Sequence, residues 1–359
     1  MTERRERART RKGDVFMVRR VIIIVFICAG LLIGVLVVSA AALLIFGTVQ
    51  PPKPLASVIG PFASMDHTGL PPVEFYSARD GASLSFRTYP GGQKQVIVLI
   101  HGSAGSSVDM HAMAKALQDA GSAVYVPDLR GHGANQPHGD VAYIGQLDDD
   151  MADFLKVVKP RQPNAKWALL GFSSGGGFAL RIAGSPLGQS FDRYVLLSPF
   201  LRYDAPTVRT AETPAIGQAA QGTHAWSAAA MPRMLALVAI NAIGIHAFDG
   251  LPVIYFAVPP DVKSVTGSYS WRLLLSFQPH RDFMADIRSV SKPMHVFVGE
   301  KDELFVADKF ESVFNADRKD IPITILPGVS HTDMVTSVVA IQAVVAALSR
   351  ASDEQILGL

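Results

Sequence analysis

Residues 167–177, with the sequence WALLGFSSGGG, decide the fold of this chain. The apolar first half predicts a strand that is buried on both faces, and the residues from 175 onward predict a helix. Gly171, Ser173 and Gly175 form a G-x-S-x-G pattern at the junction. A sharp strand-to-helix turn is sterically possible there because the two glycines carry no Cβ atoms. We therefore expect the Ser173 hydroxyl to emerge at the carboxyl edge of a sheet, with the helix N-terminus behind it.

The alternation of short apolar strands and helix-length segments continues on both sides of this turn. The predicted strands are 96–100, 123–126, 167–171, 194–198, 294–299 and 323–327. The predicted helices are 108–120, 145–158, a segment from 175, 306–315 and 333–349. This order predicts an α/β fold with a mostly parallel, doubly wound sheet covered by helices on both faces. Residues 73–89 alternate around Asp80 and Gly81 instead, which predicts an antiparallel hairpin at the start of the domain.

A long stretch between two of the predicted strands interrupts this pattern. Residues 203–290, which we call the cap, are rich in Ala and Met and predict an inserted, mostly helical segment. One apolar run within it, 234–248, is too short to cross a bilayer as a helix. The cap begins after the strand that ends near Ser198, at the carboxyl edge of the sheet, where open α/β sheets bind ligands. We therefore expect the cap to set substrate choice.

The loop at residues 99–107, LIHGSAGSS, follows a predicted strand and consists mostly of small residues. Such a loop can direct a backbone N–H toward a developing oxyanion. The expected pair of donors is the N–H of Ser103 and that of Ser174, the residue after the turn serine. A plain turn with no chemical role is the alternative for this loop on its own.

Two further loops supply a carboxylate and an imidazole. Asp302 follows the strand in FVGEKDELF (297–305), and the neighbouring Glu300, Glu303 and Asp308 are alternative carboxylates. His331, in LPGVSHTDM (326–334), lies between the last predicted strand and the terminal helix. An exposed charged loop is the simpler interpretation of 297–305 alone, so the assignment depends on all these loops occurring together.

The order Ser…Asp…His, with successive members 129 and 29 positions apart, resembles that of α/β-hydrolase fold enzymes. The resemblance extends over residues 73–350, loosely in the cap. DLRGHG (128–133) is typical of the branch with monoacylglycerol lipases, lysophospholipases and proline-iminopeptidase-like enzymes, although Asn135 stands where that branch often has serine. The resemblance implies acyl transfer with Ser173 as nucleophile, His331 as general base and acid, and Asp302 orienting the imidazole. It implies no metal, flavin, nucleotide or other cofactor.

The N-terminal 72 residues predict a membrane anchor and a linker. Residues 1–20 form a basic tail with a net charge of +5, and Val21–Phe46 contains 26 residues without a charge. A helix of that length spans the hydrocarbon layer, and the positive-inside rule places the tail in the cytoplasm and the catalytic domain on the outer, periplasmic or extracytoplasmic side. A cleavable signal peptide is the alternative. Residues 47–72 hold six prolines and predict a stiff linker.

Charge and cysteine content exclude some other functions. The full chain has a formal net charge of +2, to which the tail alone contributes +5. The remaining residues therefore sum to −3, which does not suit a nucleic-acid-binding face. Cys28, within the predicted span, is the only cysteine, so the chain has no disulfide framework and no Cys–metal chemistry. The oligomeric state stays open.

Together these features predict a membrane-anchored serine hydrolase that cleaves carboxylic esters, with lipid-like esters such as monoacylglycerols or lysophospholipids favoured. The same triad also suits a peptide or amide hydrolase and a cofactor-free perhydrolase. A non-catalytic binding protein built on a hydrolase fold is the alternative from a different class. The complete Ser173, Asp302 and His331 set argues against that last alternative, since such binding proteins usually lose one member.

Overall fold

The computed structural model describes residues 2–54, 56–209, 226–259, 262 and 265–357. The chain forms two compact units. The smaller unit comprises Met1–Thr48 and Ala230–Phe248, and the larger unit comprises Val49–Ala229 and Asp249–Leu359.

The described residues form strands and helices in the alternating order that the sequence predicts. The strands are β1 (Val73–Ser77), β2 (Ser83–Tyr89), β3 (Gly92–Ile100), β4 (Ser122–Pro127), β5 (Lys166–Phe172), β6 (Arg193–Leu197), β7 (Ser227–Ala229), β8 (Pro252–Phe256), β9 (Ser268–Ser270), β10 (Met294–Gly299) and β11 (Ile323–Leu326). The helices are α1 (Thr2–Phe46), α2 (Ala56–Ala63), α3 (His111–Asp119), α4 (Gln146–Val158), α5 (Ser174–Ala183), α6 (Met231–Asn241), α7 (Trp271–Ser276), α8 (Phe283–Ser289), α9 (Ala307–Phe314), α10 (Asp333–Thr336) and α11 (Val338–Leu357).

An eight-stranded sheet with the order β1-β2-β4-β3-β5-β6-β10-β11 forms the centre of the larger unit. The hairpin β1–β2 and the β2–β4 pair are antiparallel, and the neighbours from β4 to β11 are parallel. Along β3, Val96, Val98 and Ile100 belong to one apolar core, whereas Ile97 and Leu99 belong to a second. The uninterrupted apolar run of β3 therefore packs into both cores, one on each face of the sheet. The predicted doubly wound α/β fold is confirmed.

The cap contains strands that the sequence analysis did not predict. Besides α6, α7 and α8, its described residues form an antiparallel sheet with the order β7-β8-β9. Strands β7 and β9 have only three residues each, too few to show a period of two, and the Ala-rich composition favours helix. Residues 210–225, 260, 261, 263 and 264 of the predicted cap lie outside the described residues.

The segment 47–72 is more than the stiff linker that its prolines predict. Residues from Val49 onward belong to the larger unit, and α2 forms within the segment with Pro61 in its last turn. Val58 is 4% exposed, and Phe62 packs against the second apolar core. The two side chains are four residues apart and thus share one helix face, whose burial outweighs the helix-breaking tendency of the proline.

The smaller unit joins α6 to the last turns of α1. Among the described residues, the stretch Ile22–Phe46 of α1 is the one helix long and apolar enough to cross a membrane. Nε of Arg233 donates to the Leu44 carbonyl at 2.9 Å, and Nη2 donates to the Ile45 carbonyl at 3.3 Å. Carbonyls in the last turn of a helix lack intrahelical partners, so Arg233 caps α1. The lack of a side chain at Gly47 permits this close approach, because a Cβ there would lie 2.8 Å from the backbone nitrogen of Arg233.

Candidate active site

Ser173 occupies the turn between β5 and α5 with a φ of +54°. A Cβ on Gly171 would lie 2.0 Å from the Gly175 carbonyl oxygen, and a Cβ on Gly175 would lie 2.3 Å from the His101 carbonyl oxygen. Neither position tolerates a side chain without a backbone shift. The two glycines of the G-x-S-x-G pattern thus allow the turn that presents the Ser173 hydroxyl at the carboxyl edge of the sheet.

Ser173, His331 and Asp302 form a continuous chain of hydrogen bonds. His331 Nε2 lies 3.0 Å from Ser173 Oγ, and His331 Nδ1 lies 2.8 Å from Asp302 Oδ2. Because Asp302 accepts from Nδ1–H, Nε2 is left to accept the proton of the serine hydroxyl. All three residues are buried, with relative exposures of 7%, 3% and 1% for Ser173, His331 and Asp302. The structure therefore brings together three residues that are far apart in the sequence.

The carboxylates near Asp302 have different partners. Asp302 Oδ1 accepts the backbone N–H groups of Leu304 and Phe305, both at 2.9 Å, which fixes the carboxylate. Glu303 Oε2 accepts the backbone N–H of His331 at 2.9 Å, and Glu300 Oε2 accepts that of Gly328 at 2.8 Å. Of these three carboxylates, Asp302 is the one whose oxygen reaches the His331 ring. The two glutamates hold the histidine loop instead.

The pKa of His331 is raised above its ordinary value. Burial on its own lowers this pKa, because it disfavours the charged imidazolium. The negative charge of Asp302 and its hydrogen bond act in the opposite direction, with a further contribution from the charge of Glu303. The carboxylates outweigh the burial, so the site stabilises the protonated imidazole that forms when a serine proton is transferred.

The loop that carries Ser103 lies directly beside Ser174. The two hydroxyls are within hydrogen-bond distance of each other, and Ser174 is the first residue of α5. The next residue along the loop, Ala104, has a φ of +62°. The structure thus places the Ser103 loop against the N-terminus of α5, and a helix N-terminus favours negative charge.

Tyr269, from the cap strand β9, is a contact of this loop that the sequence analysis missed. Its hydroxyl oxygen accepts the N–H of Ala104 at 2.8 Å and lies 2.6 Å from His132 Nε2. Tyr269 is 2% exposed, and His132 is fully buried. His132 belongs to the DLRGHG motif, whereas no sequence pattern singled out Tyr269.

Asn135, the departure from the resembled branch, has a structural role. Its Nδ2 donates to the Asp128 carbonyl at 2.7 Å, and its Oδ1 accepts the N–H of Ser85 at 2.8 Å. The Asp128 carboxylate accepts the N–H of Ser107 at 2.6 Å. Asn135 therefore braces the motif loop against β2 and is not part of the hydrogen-bond chain of Ser173.

A cavity of about 260 Å³ opens onto Ser173, His331 and the Gly102–Ser103 loop. Much of its remaining lining is apolar and comes from α2 and from the cap. These apolar residues include Val58, Phe62, Ala63, Trp226, Val258 and Val262. The arrangement can hold an apolar group next to the serine hydroxyl. Among the described residues, no group of three or more His, Cys, Asp or Glu side chains is arranged to bind a metal ion.

The model of the serine aminopeptidase S33 family matches residues 91–335. The chain belongs to this family. The matched segment begins just before β3 and includes Ser173, Asp302 and His331. Helices α1 and α2 and the hairpin β1–β2 precede the match.

Solved structures show the same α/β-hydrolase fold. A soluble variant of monoglyceride lipase from Saccharomyces cerevisiae, in complex with a substrate analogue, is 16% identical, with 79% of this chain and 95% of that chain covered and a TM-score of 0.56. Monoacylglycerol lipase from Paleococcus ferrophilus is 19% identical, with 74% and 98% covered and a TM-score of 0.54. A hydrolase from Pseudomonas aeruginosa is 20% identical, with 80% and 98% covered and a TM-score of 0.51. No curated protein sequence matches this chain significantly.

Proposed function

We propose that this protein is a membrane-anchored serine hydrolase that cleaves carboxylic esters with one long acyl chain. The observation that carries the proposal is the chain of hydrogen bonds from Ser173 through His331 to Asp302, with an apolar cavity opening onto its serine. Family membership and the fold support hydrolysis in general. The ester, the acyl chain and the roles of individual residues are inferred from the site.

In the first half-reaction, Ser173 Oγ attacks the ester carbonyl carbon while His331 Nε2 accepts the hydroxyl proton. The carbonyl π electrons move to the oxygen, and the N–H groups of Ser103 and Ser174 donate to the resulting oxyanion. When the carbonyl re-forms, the bond to the leaving alcohol breaks and His331 protonates that alcohol. The acyl group is then esterified to Ser173.

In the second half-reaction, water attacks the acyl carbon and transfers one proton to His331 Nε2. Collapse of the second tetrahedral intermediate breaks the bond to Ser173 Oγ, which regains the proton, and releases the carboxylic acid. Asp302 stays ionised throughout and keeps Nδ1 protonated, so that Nε2 faces the serine in both steps. The raised pKa of His331 favours the imidazolium in each intermediate.

The size and the lining of the cavity support an ester with a single acyl chain. Ligand pockets usually measure roughly 300–1,000 Å³, so about 260 Å³ lies just below that range. A space of this size suits one acyl chain better than two or three. Monoacylglycerol-like and lysophospholipid-like esters are thus the proposed substrate class.

The apolar stretch Ile22–Phe46 supports anchoring in the cytoplasmic membrane. Seven arginines and one lysine among residues 1–20 favour a cytoplasmic N-terminus, with the catalytic unit on the outer side. A fusion of a reporter that is active only outside the cytoplasm, placed after Leu359, tests this orientation. If that fusion were inactive and a fusion to a reporter that works only in the cytoplasm were active, the C-terminus would be cytoplasmic and the proposed orientation would be wrong.

One observation favours amide hydrolysis as a second candidate function. The carboxyl of Asp109 also lines the cavity, and burial raises its pKa to about 6. At neutral pH this group is largely a carboxylate, which suits the α-amino group of a peptide. Ser106 already donates its N–H to the same carboxylate at 2.7 Å, which makes Asp109 less available as a ligand.

Probe labelling and a substrate screen on the full chain in detergent test both candidates. We expect a fluorophosphonate to label the wild type and not Ser173→Ala, and p-nitrophenyl octanoate to be cleaved faster than an aminoacyl p-nitroanilide. Preference for the anilide would support the peptidase. A protein that neither reacts with the probe nor cleaves either substrate would be the non-catalytic binding protein.

A further inference from the structure

Helix α2 contributes a wall of the cavity that opens onto Ser173. Val58, Phe62 and Ala63 of this helix line the same space as Ser173 and His331. Val58 is 4% exposed, and Phe62 is half-buried against the second apolar core. Val58 and Phe62 lie on one face of α2, since they are four residues apart, and Ala63 follows at the end of the helix. We call Val58, Phe62 and Ala63 the α2 wall.

The α2 wall is fastened to the elements that carry the site. Helix α2 packs on α10, which begins two residues after His331. Downstream of α2, His111 Nε2–H donates to the Thr68 carbonyl at 3.2 Å, and His111 Nδ1 accepts from the hydroxyl of Tyr89 at 2.8 Å. The segment is thus held to the larger unit at both the helix and its exit. The wall is therefore a fixed part of the cavity onto which Ser173 opens.

The α2 wall also lies outside the segment that defines the family. The family model begins at residue 91, whereas α2 ends at Ala63. The serine, the histidine and the oxyanion loop belong to the matched segment, so the reaction and the wall come from different parts of the chain. A change in α2 can therefore alter which ester fits without altering the groups that act on the carbonyl.

We propose that the α2 wall is the acyl-chain subsite of this enzyme and that Val58 and Phe62 set the length of chain accepted. The inference rests on the ester hydrolysis proposed above. Each methylene that moves from water into an apolar site strengthens binding about fourfold. An acyl chain that reaches Val58 and Phe62 gains this contribution, and one that ends before them does not. We expect an acetyl group to end before the wall.

Two substitutions of opposite effect test the subsite in the full chain, with p-nitrophenyl acetate, octanoate and dodecanoate as substrates. Val58→Phe fills the subsite, and we expect kcat/KM for octanoate to fall about tenfold or more while that for acetate stays within about twofold. Phe62→Ala enlarges the subsite, and we expect the ratio of dodecanoate to octanoate turnover to rise. Gly60→Leu is the matched control, because it adds bulk to the same helix where a Cβ meets nothing within 4 Å.

Labelling with a small fluorophosphonate separates the possible failures. Equal labelling rates in all variants show that Ser173 and its surroundings are intact, so that a misfolded variant is not mistaken for a changed subsite. If the variants label normally and cleave all three esters in wild-type proportions, the α2 wall is not the acyl subsite and the ester hydrolase stands. If the wild type cleaves none of the esters, the proposed function fails first.

Discussion

The backbone of Ser173 is held by contacts that do not involve its side chain. A φ of +54° in a residue other than glycine costs about 1–3 kcal/mol. The Ser173 N–H donates to the Leu197 carbonyl at 2.9 Å, and the Ser173 carbonyl accepts the N–H of Phe200 at 2.9 Å and that of Gly177 at 3.1 Å. The neighbouring strand and helix thus maintain the turn whatever group the Cβ carries.

Ser173→Ala should therefore abolish turnover and leave the fold unchanged. Loss of a triad member lowers kcat by about 10⁴-fold or more. Ser174→Ala is the matched control, because alanine keeps the N–H that the proposed mechanism uses and removes only the hydroxyl that contacts Ser103. Ester hydrolysis and circular dichroism of both variants check this. If Ser173→Ala kept full activity and Ser174→Ala lost it, Ser174 would be the nucleophile.

The raised pKa of His331 predicts the acid limb of the pH profile. The base must be neutral to accept the serine proton, so kcat/KM should fall as the pH drops through the His331 pKa. We expect the midpoint above about 6.5, the ordinary value for histidine. Asp302→Asn removes the charge that raises this pKa, so the midpoint should move to lower pH while the rate falls by about 10⁴-fold.

Glu300→Gln is the control for this profile. Glu300 accepts the N–H of Gly328 and does not reach the imidazole ring, so its substitution should leave the midpoint in place. Stopped-flow or steady-state hydrolysis of a short ester between pH 5 and pH 9 gives the midpoint of the acid limb for the wild type and for each variant. An unchanged midpoint in Asp302→Asn would mean that another group controls the acid limb.

At the scale of elements, the cap strand β9 supports the oxyanion loop. Tyr269 connects the Ala104 N–H to His132, and Ala104 follows Ser103 in the chain. Deleting the hydroxyl leaves a buried donor without this partner, which costs about 1–3 kcal/mol. Because the affected backbone carries a proposed oxyanion donor, part of that cost should appear in the transition state.

Tyr269→Phe should thus lower kcat about tenfold with little change in KM. Tyr194→Phe is the matched control, since Tyr194 is also fully buried and its hydroxyl donates to the Gly188 carbonyl at 2.7 Å, on the opposite end of its strand from the site. Thermal unfolding and steady-state kinetics of both variants separate the effects. If both variants lost the same stability and kept the wild-type kcat, the Tyr269 hydroxyl would contribute to stability alone.

The predictability of an element from sequence depended on how it is buried. The strand at 96–100 was predictable because both its faces are covered, which makes the whole run apolar. Ser173 was predictable because it follows such a strand, whereas His331 follows the partly buried edge strand β11 and was predictable from its place between the last strand and the terminal helix. Helix α2 was not predictable, since the segment 47–72 holds six prolines and few apolar residues. The role of Tyr269 was not predictable either, because β9 has only three residues. The short elements take their structure from tertiary contacts that no local pattern records.

At the scale of the whole molecule, the apolar surface of the smaller unit does not end with α1. Met231, Leu235 and Val238 follow the spacing i, i+4, i+7 along one face of α6, and their exposures are 49%, 62% and 52%. Ile243, just beyond the helix, is 74% exposed. Apolar patches of this kind commonly mark lipid or protein contacts, and α6 is fastened to the end of the proposed span through Arg233.

Removal of residues 1–48 should therefore fail to release a freely soluble enzyme. The truncated chain keeps the exposed face of α6 and loses the Leu44 and Ile45 carbonyls that Arg233 binds, so we expect it to float with phospholipid vesicles. Leu235→Glu with Val238→Glu should abolish this flotation, because two carboxylates would have to enter an apolar layer. Val338→Glu with Val339→Glu is the matched control, since these valines are 67% and 61% exposed at the start of α11. A truncated chain that stays out of the vesicle fraction and needs no detergent would show that α1 alone holds the enzyme at the membrane.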